Sequence, residues 1–159
     1  ADTARLALML GQRLHRDGIE IKDGPPLAAV VTVLRERART MKELAEKSHY
    51  FFRDFEAYEE SAAKKHLRPV AASMLEDLLG QLRLITDWQA DVIHDAINNT
   101  SKSYGAKLGK IAQPLRVAVS GTAATPPIDE TLVLVGRTKT LQRIERALRY
   151  ISERTSAGA

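Results

Sequence analysis

Apolar positions recur at three- and four-residue spacing along nearly the whole chain, which is the period of an amphipathic helix. Leu6, Leu8, Met9, Leu10 and Leu14 predict a first helix, stopped at Gly18. Asp23-Gly24-Pro25-Pro26 is a strong turn signal, and Pro26 suits the first turn of the next helix, where a missing N–H costs nothing. That helix carries Leu27, Val30, Val31 and Leu34 and runs into an arginine cluster. Thr40-Met41-Lys42-Glu43 has the form of a capping box: the Thr hydroxyl accepts from an orphan N–H and Glu43 reaches back. The helix it opens leads to Tyr50-Phe51-Phe52, and five of the eight aromatics fall between Tyr50 and Tyr58. Such density suits a base-stacking platform, but beside apolar helices it reads more readily as core.

Glu59 to Leu67 predicts a further helix, and Pro69 opens another with Val70, Met74, Leu75, Leu78, Leu79, Leu82 and Leu84 inside. Thr86-Asp87-Trp88-Gln89 reads as a second capping box, starting a helix with Trp88, Val92, Ile93 and Ile97 that fades at Tyr104-Gly105. Three short helices follow, at 111–120, 129–135 and 138–152, with Gly121 and Gly136 as stops. Val117, Val119, Val133 and Val135 leave short strands as a competing reading of the first two. The expected fold is all-α, in two small helical subdomains divided near Gly105, at 1–100 and 101–159.

Composition changes this picture little. The 159 residues are 44% hydrophobic and 28% charged, the balance of a globular protein with a real core. No apolar run approaches the roughly 18 residues of a membrane span, and no membrane partner is expected. There is no cysteine, which excludes disulfides and thiolate metal sites and fits a cytoplasmic setting. The net charge of +4 matters through its distribution. No acid lies between Asp95 and Asp129, a stretch holding Lys102, Lys107, Lys110 and Arg116. Arg35, Arg37, Arg39 and Lys42 form a second basic group, and Arg137, Lys139, Arg143, Arg146 and Arg149 a third. Clustered cations attract polyanions by releasing condensed counterions, although a solvated helix face has the same composition.

Catalytic chemistry is missing. His15, His49, His66 and His94 show no metal-ligand spacing, and no P-loop or dinucleotide fingerprint occurs. No Ser-His-Asp set stands out. From the residues alone this is a helical binding module with no catalytic residues and no cofactor of its own. Rival functions are a helical protein–protein interaction module without RNA binding and a helix-turn-helix DNA binder. The last helix carries Arg143, Arg146 and Arg149 at a spacing that a solvated face also shows.

The segment Lys107 to Arg137, KLGKIAQPLRVAVSGTAATPPIDETLVLVGR, closely resembles the C-terminal signature of bacterial glutamyl-tRNA synthetases. Arg37 to Phe52, RARTMKELAEKSHYFF, is similar to a T-L-K-E-L-A-E-K segment of the same family, and Trp88 sits where the family has a Trp. The pieces keep the family's order and cover nearly the whole chain. The catalytic H-I-G-H and K-M-S-K-S-like signatures are not in this sequence. The resemblance therefore implies the anticodon-binding region of a glutamate–tRNA ligase. ATP and Mg would be used in an upstream catalytic domain, and the partner would be the anticodon stem-loop of a glutamate tRNA, bound by a monomer. It also implies site residues. Arg37 would read the third anticodon base. Gln113, Arg116, Thr125, Pro126, Pro127 and Ile128 would contact the anticodon, and Lys107 and Lys110 would hold phosphates. After its T-P pair the family commonly has Gly, an apolar residue and an aromatic. Here Pro127, Ile128 and Asp129 stand instead, and Asp129 is expected to cap the following helix.

Overall fold

The computed structural model describes residues 2–158. All regular structure among the described residues is helical, with no strand. The valines that left strands open, Val117 and Val119, are buried inside a helix, so tertiary packing overrides their β propensity.

The chain splits into two compact units, up to Glu56 and from Ala57 onward. The first holds α1 (Asp2–Arg16), α2 (Leu27–Leu34), a single 3-10 turn (Arg35–Arg37) and α3 (Met41–Phe52). Leu10 and Leu14 of α1, Val30, Val31 and Leu34 of α2, and Leu44 and Phe51 of α3 are buried and form its core. Tyr50, Phe51 and Phe52 are all buried too, so this part of the aromatic run is core rather than an open stacking platform. Gly24 lies so close to the Phe52 ring that a side chain there would collide with it, which explains why the turn needs glycine.

The second unit holds α4 (Glu60–His66), α5 (Pro69–Arg83), α6 (Ala90–Ser103), α7 (Gly109–Ser120), α8 (Ile128–Val135) and α9 (Arg137–Gly158). Helix α5 packs on α6, α7 and α9, while α7 also packs on α4 and α8. Leu75, Leu78, Leu82, Ile93 and Ile97 therefore share one apolar cluster with Ile111, Leu115, Leu132 and Ile144. This corrects the expected division at residue 100, which cuts through that cluster. The misleading signal was Gly105. It has φ +60 and ends α6 in a Schellman motif, with Gly105 N–H donating to Lys102 O (3.0 Å) and Ala106 N–H to Ser101 O (3.0 Å). A glycine there reverses the chain within a core; it does not separate two cores.

Two further expectations fail locally. Val70 is 73% and Leu84 81% exposed: their neighbours Ala71 and Leu82 take the core-facing positions at the two ends of α5, and Leu84 falls just past the helix as its C-cap. The second capping box does not form either. Helix α6 begins after Gln89, with no side-chain cap, and Gln89 instead donates its side-chain amide to Asp87 Oδ1 at 3.0 Å. Trp88 explains the delay: its indole N–H donates to Leu132 O of α8 at 2.8 Å, holding the segment outside the helix.

Candidate nucleic-acid interface

Arg37 ends the 3-10 turn between α2 and α3 and its side chain is exposed. The backbone beneath it is tied down. Lys47 Nζ donates to Arg37 O at 2.7 Å, and Arg39 N–H donates to Glu43 Oε2 at 3.1 Å. Half of the first capping box forms, with Glu43 N–H donating to Thr40 Oγ1 at 3.1 Å, while the Glu43 carboxylate accepts from Arg39 N–H rather than from the cap residue itself. The bond from Arg39 N–H holds the Glu43 carboxyl below its ordinary value; desolvation opposes it, and the nearby Lys47 and Arg39 charges add to the lowering.

In the second unit, Gln113 and Arg116 lie on α7, three residues apart and both half-buried. The helix starts at Gly109, earlier than expected, so neither Gln113 nor Pro114 marks its beginning. Pro114 sits inside the helix and offers no N–H to Lys110 O. Arg116 Nε donates to Thr125 Oγ1 at 3.1 Å. Thr125, 6% exposed, donates in turn to Pro126 O at 2.7 Å. Thr131 Oγ1 reaches both Pro126 O (3.1 Å) and Pro127 O (3.0 Å) from the first turns of α8. Thr125, Pro126 and Ile128 are buried and build the loop, while Pro127 is exposed at its tip. Asp129 lies within α8, not at its cap, and accepts from Glu130 N–H at 3.0 Å. Lys107 and Lys110 are exposed at the N-terminal end of α7, whose first turn holds no acid.

The expected site residues of the second unit are thus assembled on one helix and one loop, with Arg116 bonded directly to Thr125. Arg37 belongs to the other unit. Sequence reading missed Thr131 and Lys47. A hydroxyl inside a predicted helix carries no visible signal, but Lys47 follows Glu43 by four residues, the spacing of a helical ion pair, and the two are 3.4 Å apart.

The third basic group divides. Arg143 is 3% exposed and donates Nη1 to Val119 O at 2.7 Å, near the end of α7. Arg137 donates to Ile85 O (3.1 Å) and Arg83 O (2.6 Å), just past the end of α5. Arg143 serves a carbonyl that its helix end leaves unpaired and is buried, whereas Arg137 is exposed and spends its donors on the carbonyls at and just after the end of α5. No cluster of His, Cys, Asp or Glu that could hold a metal occurs among the described residues. No helix among them is long and apolar enough to cross a membrane.

Short helices that carry an arginine-bearing turn in one unit and a proline loop in the other are features of a helical recognition domain. The model of one such family, the anticodon binding domain, matches residues 5–148, and the chain belongs to that family. Among solved structures, the chain is similar to a glutamate tRNA ligase from Elizabethkingia meningosepticum in complex with its amino acid. The TM-score is 0.85 at 22% identity, covering 95% of this chain and 30% of that one. A glutamate-tRNA synthetase from Elizabethkingia anophelis gives a TM-score of 0.80 at 23% identity, covering 94% and 29%. The fold is therefore shared, and the chain spans about 30% of the length of these proteins.

Proposed function

We propose that this chain is the C-terminal, anticodon-binding part of a glutamyl-tRNA synthetase and binds the anticodon stem-loop of a glutamate tRNA. The whole enzyme, cytoplasmic and monomeric, would join glutamate to that tRNA using ATP and Mg in a catalytic domain outside this sequence. The observation that carries the reading is the pairing of Arg116 with the Thr125–Ile128 loop, in a chain that also holds Arg37 on an exposed turn. Anticodon bases are unstacked and offer their Watson–Crick edges, which amide and guanidinium groups can read. Gln113 carries an amide of this kind on the half-buried face of α7, three residues before Arg116. Lys107 and Lys110, beside the positive end of α7, suit phosphates. The rival protein–protein module calls for a contiguous apolar patch, whereas the exposed large apolar residues are few and scattered along the chain: Leu8 and Met9 on α1, Val70 and Leu84 at opposite ends of α5, and Tyr104 and Leu108 around the α6–α7 turn.

Arg37 is assigned the third anticodon base. A cytosine there presents O2 and N3 as acceptors, which a planar, permanently charged guanidinium satisfies. The test is equilibrium binding of two stem-loops that differ only at that base. Arg37→Gln lowers discrimination by about 1–3 kcal/mol, the range for losing a good base-edge contact. Lys110→Ala weakens both RNAs alike, because a phosphate contact carries no sequence information. Equal weakening of both RNAs by Arg37→Gln refutes the assignment. A flat salt response, where counterion release gives a log–log slope of about −0.7 per phosphate neutralised, refutes RNA binding through these cations.

A further inference from the structure

Arg37 holds its side chain in solvent, yet the backbone on either side of Ala38 is fixed from one direction. Ala38 is extended (φ −128, ψ 137). In an extended residue the preceding C=O and the following N–H point to the same side of the chain. Here these are Arg37 O and Arg39 N–H, and α3 meets both: Lys47 Nζ donates to the carbonyl at 2.7 Å and Glu43 Oε2 accepts from the N–H at 3.1 Å. The two side chains are four residues apart on one helix face, and Lys47 Nζ lies 3.4 Å from Glu43 Oε1. Thr40 caps the same helix, so the clamp is mounted on an ordered first turn.

We propose that Glu43 and Lys47 are positioning residues for Arg37, setting anticodon selectivity without touching the RNA. An isolated exposed ion pair contributes little to stability. This one also closes two charge-assisted bonds onto the backbone, and its effect falls on where the Arg37 Cα sits. A base-edge contact is sensitive to that placement, because a recognition group must be held within about 0.5 Å of its productive position. The proposal rests on the reading of Arg37 as the group that contacts the base.

The experiment binds the full chain, as wild type, Arg37→Gln, Lys47→Met, Lys47→Arg and Glu43→Gln, to two anticodon stem-loops differing only at the third anticodon base. Lys47→Met should cut the affinity ratio of the two RNAs by about threefold to tenfold, part of what loss of the direct contact costs. Its thermal midpoint should stay within a few degrees of wild type, as is usual for exposed substitutions. Lys47→Arg keeps a donor and should restore most of the ratio. If Lys47→Met folds poorly, Glu43→Gln carries the same test, since it keeps an acceptor for Arg39 N–H but removes the charge that holds Lys47. An unchanged ratio in Lys47→Met and Glu43→Gln, with a collapsed ratio in Arg37→Gln, overturns the clamp and leaves the base reader standing. Equal weakening of both RNAs by Lys47→Met makes Lys47 a phosphate contact and also overturns it. An unchanged ratio in Arg37→Gln removes the base reader, and the clamp falls with it.

Discussion

Arg143→Met tests whether the buried arginine is a structural cap. The guanidinium is 3% exposed and gives Nη1 to Val119 O at 2.7 Å. Val119 is the penultimate residue of α7, so its carbonyl is one of the terminal four without an intrahelical donor. The neighbouring ends have other partners: Ser120 Oγ donates to Arg116 O and Gly121 N–H to Val117 O. Methionine keeps the apolar stem and removes the charge. A hydrogen bond from a charged group is worth about 1.5–3 kcal/mol, and a cation at a partly buried helix C-terminus up to about 2 more. Releasing the guanidinium from burial returns part of this, because desolvation opposes the bond. The net expectation is a loss of about 2–3 kcal/mol. Urea unfolding followed by emission of Trp88, the single tryptophan and a residue of the same unit, reads it directly. Arg149→Met, at an exposed position of α9, should stay within about 0.5 kcal/mol of wild type. At a temperature where both variants are folded, stem-loop affinity should match wild type for Arg143→Met. Stability unchanged within about 0.5 kcal/mol, or affinity lost while folded, refutes the capping role.

Two further expectations follow from single contacts. Trp88→Phe removes the donor to Leu132 O, but Gly136 N–H still serves that carbonyl at 3.0 Å, so the loss should be only about 1 kcal/mol in unfolding followed by circular dichroism. His49 lies below its ordinary 6.5 chiefly through burial, with Arg53 adding repulsion. The unfolded chain then binds more protons, so stability present above about pH 6.5 should decline as pH falls through and below that value. His49→Gln should flatten the decline measured by urea unfolding between about pH 7.5 and 5.5, with His66, also lowered by burial, supplying a remainder; an unaltered slope defeats the assignment.

Helices were legible because their signals are local. The Thr40 cap, the Pro69 start and the Gly18 and Gly105 stops each depend on a few adjacent residues, and each stands in the structure. Expectations failed where a distant partner decided. The second box gave way because Leu132, remote in sequence, takes the Trp88 indole N–H. The division at residue 100 failed because turn chemistry is written locally, whereas membership of Ile93 and Ile97 in a core with Ile111 and Leu132 is not. The candidate site was legible only through motif resemblance, since composition cannot separate Arg37 from Arg143. What separates them is burial and the direction of the hydrogen bond.

That direction sorts the basic residues into two physical kinds. Arg137 and Arg143 are donors to backbone carbonyls at or beside helix ends, Arg143 from a buried position and Arg137 from an exposed one, so their hydrogen-bonding capacity is spent on the fold. At Arg37 the relation is reversed: its own carbonyl is the acceptor, held by Lys47, and its guanidinium remains in solvent. Arg116 is intermediate, with Nε committed to Thr125 at the loop and a side chain half in solvent. A recognition group needs this last arrangement or that of Arg37, because flexible cations lose rotamer entropy on binding and a fixed base of attachment reduces that loss. Buried Thr125 and Thr131, bonded to Pro126 and Pro127, stiffen the loop beside Arg116 as Glu43 and Lys47 stiffen the turn beneath Arg37. Substituting the supports should therefore change selectivity more than overall affinity, whereas substituting Lys107 or Lys110 should change overall affinity and leave selectivity intact.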